Sequence, residues 1–163
     1  MDSKYKVGGY VKLAKLWERS KDAVVAYHSS YYAEKFKDDT DKELFGVYID
    51  ITGNKEIFKR PEMVHLLRDC KMGKINLISS QTRAYLAANT CEFCFLLQYL
   101  FDLPMRIDIV TDDDDQQIDT ILDVEDQRRS LKVLAEKYTA IRKADYLAWR
   151  ARLENEMEKV EEK

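Results

Sequence analysis

From Gln117 to its last residue the sequence holds neither glycine nor proline. That removes the two strongest breakers of regular structure from the final stretch and leaves it to helix. Cysteine is sparse, with only Cys70, Cys91 and Cys94. An odd count of three argues against a disulfide framework and predicts free thiols. No apolar run approaches the ~18 residues of a membrane-spanning helix. Met1 leads directly into charged residues, without the apolar core of a signal peptide. A cytoplasmic location with no membrane contact is therefore expected. Neither G-x-G-x-x-G nor G-x-x-x-x-G-K-[ST] occurs, so a flavodoxin-like nucleotide-binding domain is the weaker alternative. An excess of positive charge is lacking as well. Lys and Arg number 27 against 30 Asp and Glu, for a net charge of −3 and a pI near 5.5. A free-standing DNA binder carries a basic face. Unaided DNA affinity is therefore expected to be weak, although a local patch can hide in such a balance.

What is there suits one folded domain with a helical appendage. The 163 residues are 45% hydrophobic, enough for a substantial core. Residues 7–14, with Gly8-Gly9 near their start, read as a buried strand. Val25, His28, Tyr32 and Phe36 recur at spacings of three and four, one face of a helix over 22–36 that Asp22 is suited to cap. Residues 44–51 (LFGVYIDI) are β-branched and aromatic, a second strand. Pro61 suits the first turn of the next helix, because its missing N–H would be unpaired there anyway. Met63, Leu66, Leu67 and Cys70 continue at helical spacing, and Gly73 falls where the helix should end. Residues 75–79 read as a third strand and 105–110 as a fourth. Between them, Thr90 can cap a helix whose apolar residues Cys91, Cys94, Phe95, Leu97 and Phe101 surround much of its girth. Strands alternating with helices imply a mainly parallel sheet.

Two patterns invite a functional reading and favour a plain one. Cys91-Glu92-Phe93-Cys94 has redox or zinc spacing, but no second pair accompanies it and zinc usually takes four ligands, so core packing is preferred. Asp112–Asp115 is a run of consecutive carboxylates that point in different directions, which suits a solvated loop better than an oxygen-ligand metal site. No metal and no cofactor are expected. Beyond residue 117, Leu131, Leu134, Tyr138, Ile141, Trp149, Leu153, Met157 and Val160 form a broken apolar stripe among charged residues. It reads as one long helix or two in succession. Part of the stripe is expected to meet a partner helix; folding back on its own domain is the alternative.

Three passages, in order, carry a family resemblance. Tyr10-Val11-Lys12-Leu13-Ala14 resembles the Tyr-x-Arg-x-Ser signature on the first strand of serine recombinases, the resolvase/invertase family. Phe45-Gly46-Val47-Tyr48-Ile49-Asp50, followed by Lys59-Arg60-Pro61-Glu62-Met63, is similar to that family's second strand and Arg-Pro helix start. The passage from Leu66 through Gly73 to Ile78 resembles the helix–glycine–strand run before the catalytic loop. The resemblance covers about residues 7–110. It implies a resolvase-like three-layer α/β/α domain over 1–118 with a central mainly parallel sheet. A long C-terminal helix, 119–163, would carry dimerisation.

At the positions matching the family's catalytic groups, the chemistry is missing. Serine recombination needs a serine nucleophile and fixed arginines around the phosphate. Ala14 stands at the nucleophile's position and Lys12 at the first arginine's. Aligned without gaps, Ala84-Tyr85-Leu86-Ala87-Ala88-Asn89 occupies the Ser-Arg-x-x-Arg-Asn loop, so Tyr85 and Ala88 replace two more arginines. A shift of two would recover Arg83 and lose the Asn89-Thr90 match. Arg60 is the active-site arginine retained, and Lys12 with Arg60 makes a candidate phosphate site. The resemblance thus implies a site-specific recombination domain without cleavage chemistry, acting as a dimerising or regulatory module. An active DNA-cleaving enzyme with a divergent site is the alternative, with Ser79, Ser80 or Thr82 as the relocated nucleophile. Partners would be a second copy or an active recombinase, through Leu134, Tyr138, Ile141 and Trp149. No zinc-ribbon cysteine framework or C-terminal helix-turn-helix of the kind recombinases carry is evident.

Overall fold

The computed structural model describes residues 5–113 and 125–160. Four strands form one sheet in the order β2-β1-β3-β4, every neighbour parallel. They are β1 (Tyr5–Leu13), β2 (Lys42–Ile51), β3 (Leu77–Ser80) and β4 (Asp108–Thr111). The helices are α1 (Lys21–Phe36), α2 (Pro61–Lys71), the single turn α3 (Arg83–Leu86), α4 (Thr90–Asp102), α5 (Glu125–Ile141) and α6 (Lys143–Glu158). This is the expected α/β class with an all-parallel sheet.

Side chains along β1 alternate between two layers, as strand geometry requires. Tyr5, Val7 and Val11 pack with Tyr32 and Phe36 of α1. Tyr10 faces the opposite layer with Met63, Leu66 and Leu67 of α2. Gly8-Gly9 sits between these layers because both come close. A Cβ on Gly8 would lie 2.6 Å from Leu66, and one on Gly9 would lie 2.9 Å from the Tyr32 ring. Gly73 follows α2 at φ +79°, the left-handed conformation that ends helices.

Local boundaries differ from the sequence expectation in several places. β1 and β2 each begin two residues early, and β1 ends at Leu13, so Ala14 lies just beyond the strand rather than on it. A 3-10 turn, Lys15–Ser20, precedes α1, so Asp22 lies inside the helix and Ser20 takes the cap position without a side-chain bond. Asn89 rather than Thr90 caps α4, its side chain accepting from the Glu92 N–H at 2.9 Å. β3 starts at Leu77 instead of residue 75, because Asn76 holds Lys6 through its side chain. β4 starts at Asp108, not residue 105.

The larger difference lies in the C-terminal segment. Of the two readings offered for it, one long helix or two in succession, it forms the second, broken at Arg142 (φ −118°, ψ 39°). The 118/119 boundary, the helix start at Asp119, Asp114–Asp115 and the end at Lys163 lie outside the described residues. α6 turns back onto α2, α4 and the 3-10 turn Ile57–Lys59. Tyr146, Trp149, Leu153 and Met157 are buried there, with the Trp149 ring against Phe95, Tyr99 and Tyr146. The Glu92 carboxylate pins the arrangement. It accepts from the Ile57 N–H at 2.8 Å and from the Trp149 indole N–H at 2.9 Å. Trp149, expected in a partner seam, is therefore a core residue of its own domain, 7% exposed.

Candidate functional site

Parallel strands bring their C-terminal ends to one edge, where α/β domains bind ligands. Lys12 and Asp50 are register partners at that edge of β1 and β2. Asp50 is buried and fully engaged. One oxygen accepts from the Glu62 N–H at 3.0 Å, the other from the Met63 N–H at 2.9 Å and the Tyr10 hydroxyl at 2.8 Å. It thereby supplies the N-terminal cap of α2 that Arg60, the residue in the cap position, does not. Burial first, and the Asp50 charge second, push the Tyr10 phenol well above its ordinary value. Tyr10 is thus a neutral donor, not a nucleophile.

Arg60 is 0% exposed. One terminal nitrogen donates to the Tyr85 carbonyl at 2.7 Å and to the Leu86 carbonyl at 3.5 Å. The other donates to the Lys55 carbonyl at 2.7 Å, and Nε is buried without a partner. The guanidinium ties three segments together: the loop after β2, the start of α2, and α3. Both terminal nitrogens bond backbone oxygens, and these three bonds use part of the guanidinium's five N–H donors. Lys12 is half-buried and its amine is shifted down, first by burial and then by repulsion from Arg60.

Ala14 follows the last residue of β1, exposed and in extended conformation, with its carbonyl accepting from the Trp17 N–H at 3.0 Å. Tyr85 is half-buried on α3, and Ala88 is exposed beyond it. Arg83 stacks its guanidinium on the Phe93 ring, 4.1 Å from the centroid. The structure thus brings Lys12 and Arg60 into electrostatic range, and the Tyr85 carbonyl onto Arg60.

The hydroxyls proposed as relocated nucleophiles are occupied or enclosed. Ser79 and Ser80 are fully buried, and Ser80 donates to the Tyr10 carbonyl at 2.9 Å. Thr82 donates to Asp113 at 2.7 Å while capping α3. Cys70 and Cys94 are buried, and burial pushes both thiols up. Among the described residues no group of three or more His, Cys, Asp or Glu is set to hold a metal.

Leu134 and Ile141 of α5 point outward, 54% and 80% exposed, while Tyr138 is partly buried under the Arg142 guanidinium. Of the four residues expected at an interface, these two are the exposed ones, with Val133 lining the same surface as Leu134. The sequence reading missed the role of Asp50. The signal was available: Arg60-Pro61 opens a helix with no capping side chain, so another acceptor must cover its first N–H groups.

No protein-family model matches the chain, and no curated protein matches it. Among solved structures, the N-terminal catalytic domain of TP901-1 integrase superposes with a TM-score of 0.57 at 18% identity. The match covers 86% of this chain and 99% of that one. With its parallel β2-β1-β3-β4 sheet and flanking helices, the chain has the resolvase-like catalytic-domain fold of serine recombinases.

Proposed function

We propose that this chain is a serine-recombinase-like domain of a DNA recombination system that does not cleave DNA and acts as a dimerising or regulatory module. The observation that carries the reading is the state of Arg60. Phosphoryl transfer needs positive charge aimed at the phosphate oxygens. Here the retained arginine is enclosed and bonded to the carbonyls of Lys55, Tyr85 and Leu86. Ala14, at the matching nucleophile position, offers only a methyl group. Losing one oxyanion donor typically costs about 10²–10³ in rate, and here nucleophile and cations are lost together.

The strand-end scaffold persists without the chemistry. Tyr10, Asp50 and Arg60 hold β1, β2, α2 and α3 in register, as a binding module requires. The partner face is the apolar surface of Leu134 and Ile141, with Val133 beside Leu134, and it meets a second copy or an active recombinase. DNA contact is weak without that partner.

The test is incubation with supercoiled plasmid, followed by denaturing electrophoresis for a protein–DNA adduct. Neither nicking nor adduct is expected, from the native chain or from Ala14→Ser, because Arg60 stays enclosed. A covalent adduct with the native chain would overturn the reading in favour of an active enzyme.

A further inference from the structure

We infer that the outer edge of β2 is a self-association surface. Two copies pair β2 with β2 antiparallel about a two-fold axis, joining their sheets into one of eight strands. The inference is independent of the α5 face and concerns the opposite side of the molecule.

β2 is an edge strand of ten residues, long against a typical strand of about five to six. At its start the Lys42 N–H is taken by Asp39 at 3.0 Å; beyond it, the outer backbone groups of β2 have no hydrogen-bond partner among the described residues. Proteins usually blunt such edges with lysine, proline or bulges. Here the devices cluster at one end: Lys42 and the register shift that leaves Phe45 unpaired between Leu44 and Gly46. From Gly46 to Ile51 there is no lysine and no proline, and four of the six residues are β-branched or aromatic. Such a segment pairs with another strand if left open.

The surroundings favour a second copy as the occupant. A groove of about 330 Å³ runs between the edge and α2, lined by Phe45, Gly46, Tyr48, Glu62, His65 and Lys74, among others. Phe45 is 49% exposed at its mouth, the aromatic anchor typical of an interface centre. A Cβ on Gly46 would meet the Tyr48 ring first, at 3.4 Å, an ordinary van der Waals contact. α2 packs over β2 more than over β1, so a two-fold at the edge sets α2 beside its symmetry mate, antiparallel. Charge then matches. The N-terminal turn of α2 carries Glu62, and its C-terminal end carries Arg68, Lys71 and the following Lys74. Antiparallel juxtaposition brings the acidic end of each helix to the basic end of the other. Isologous pairing requires that self-complementarity.

The test is sedimentation equilibrium of the full chain from 1 to 200 µM, with amide hydrogen exchange at low and high concentration. Association is expected, with β2 amides protected as concentration rises. Phe45→Lys is expected to weaken it at least tenfold at unchanged melting temperature, since that side chain lies outside the core. Glu62→Lys and Lys74→Glu should each weaken it, and the double variant should restore it. Ile141→Glu separates the two surfaces, because it touches only α5. A chain that stays monomeric with unprotected β2 amides overturns the inference and leaves an extended peptide from another protein as the occupant. Association indifferent to Phe45→Lys but lost in Ile141→Glu overturns it too, as does a double variant that fails to restore pairing.

Discussion

α5 and α6 are similar in length and in charged composition, yet their apolar residues meet opposite fates. α6 sends Tyr146, Trp149, Leu153 and Met157 inward and leaves Leu147 outside. α5 does the reverse: Leu134 and Ile141 stay in solvent, while the small residues Ala135 and Thr139 are buried against α4. Thr139 donates to Gln98 and to its own helix's Ala135 carbonyl, and Arg128 pairs with the buried Asp108 at 3.1 Å. The difference teaches that an apolar stripe does not by itself name its covering. α6 has an aromatic cluster and a buried carboxylate waiting for it. α5 is held by small residues, by the partly buried Leu131 and Tyr138 and by an ion pair, and Leu134 and Ile141 are left for something else.

The sharpest way to break this contrast is Trp149→Ala. Truncating a buried tryptophan costs about 3–5 kcal/mol, and here it also removes a donor from the buried Glu92 carboxylate. The urea midpoint should fall accordingly, and α6 amides should lose exchange protection ahead of those of the sheet. A drop under about 0.5 kcal/mol, within the range of surface substitutions, would mean that α6 is not docked as described.

Glu92→Gln tests the pin alone. Removing the charge weakens the charge-assisted bonds to Ile57 and Trp149, and a loss of about 1–3 kcal/mol is expected. The same change on α5, Glu136→Gln, should have no measurable effect, because Glu136 is exposed.

A pH titration sharpens the comparison differently. Burial first, and for Tyr146 the Asp102 carboxylate next, raise the phenols of Tyr10, Tyr32, Tyr48, Tyr99 and Tyr146 above their ordinary value. The folded state therefore keeps protons that the unfolded chain releases near pH ~10. That contribution is fully present below pH ~10 and is lost as pH rises beyond it. Tyr146→Phe removes one such group from α6, so the fall in urea midpoint between pH 8 and pH 11 should become shallower. An unchanged slope would place Tyr146 in solvent.

The smallest stability effect belongs to α5. Ile141→Glu should shift stability by no more than about 0.5 kcal/mol, as surface changes do. It should nonetheless abolish whatever association uses that face, read by light scattering. A large loss of stability would show that Ile141 is packed.

How far the sequence could be read follows the range of the forces involved. β1, β2, α2 and Gly73 were legible because strand alternation, Pro61 and a left-handed glycine act within a few residues. The boundaries of β3 and β4 were less so, since Ile75 and Met105 are apolar whether or not they join the ladder. At the candidate site the residue types were visible: Ala14, Lys12 and Arg60 could be named through the family resemblance. That Arg60 is enclosed by carbonyls from residues 55, 85 and 86 could not, because those atoms lie far apart along the chain and every residue has a carbonyl. Asp50 was hidden for the same reason, since its donors come from β1 and α2.

The sequence by itself determined the α/β alternation, the absence of a hydroxyl at Ala14 and the helical character of the C-terminal stretch. These depend on residue identity and on periodicity, which need no partner to be expressed. Only the tertiary structure decided that Arg60 serves the scaffold, that Trp149 belongs to the domain's own core, and that Ile141 and the edge of β2 remain open. Those outcomes turn on which surfaces meet, and the meeting is set by long-range packing around Glu92 and Asp50, which no local pattern encodes.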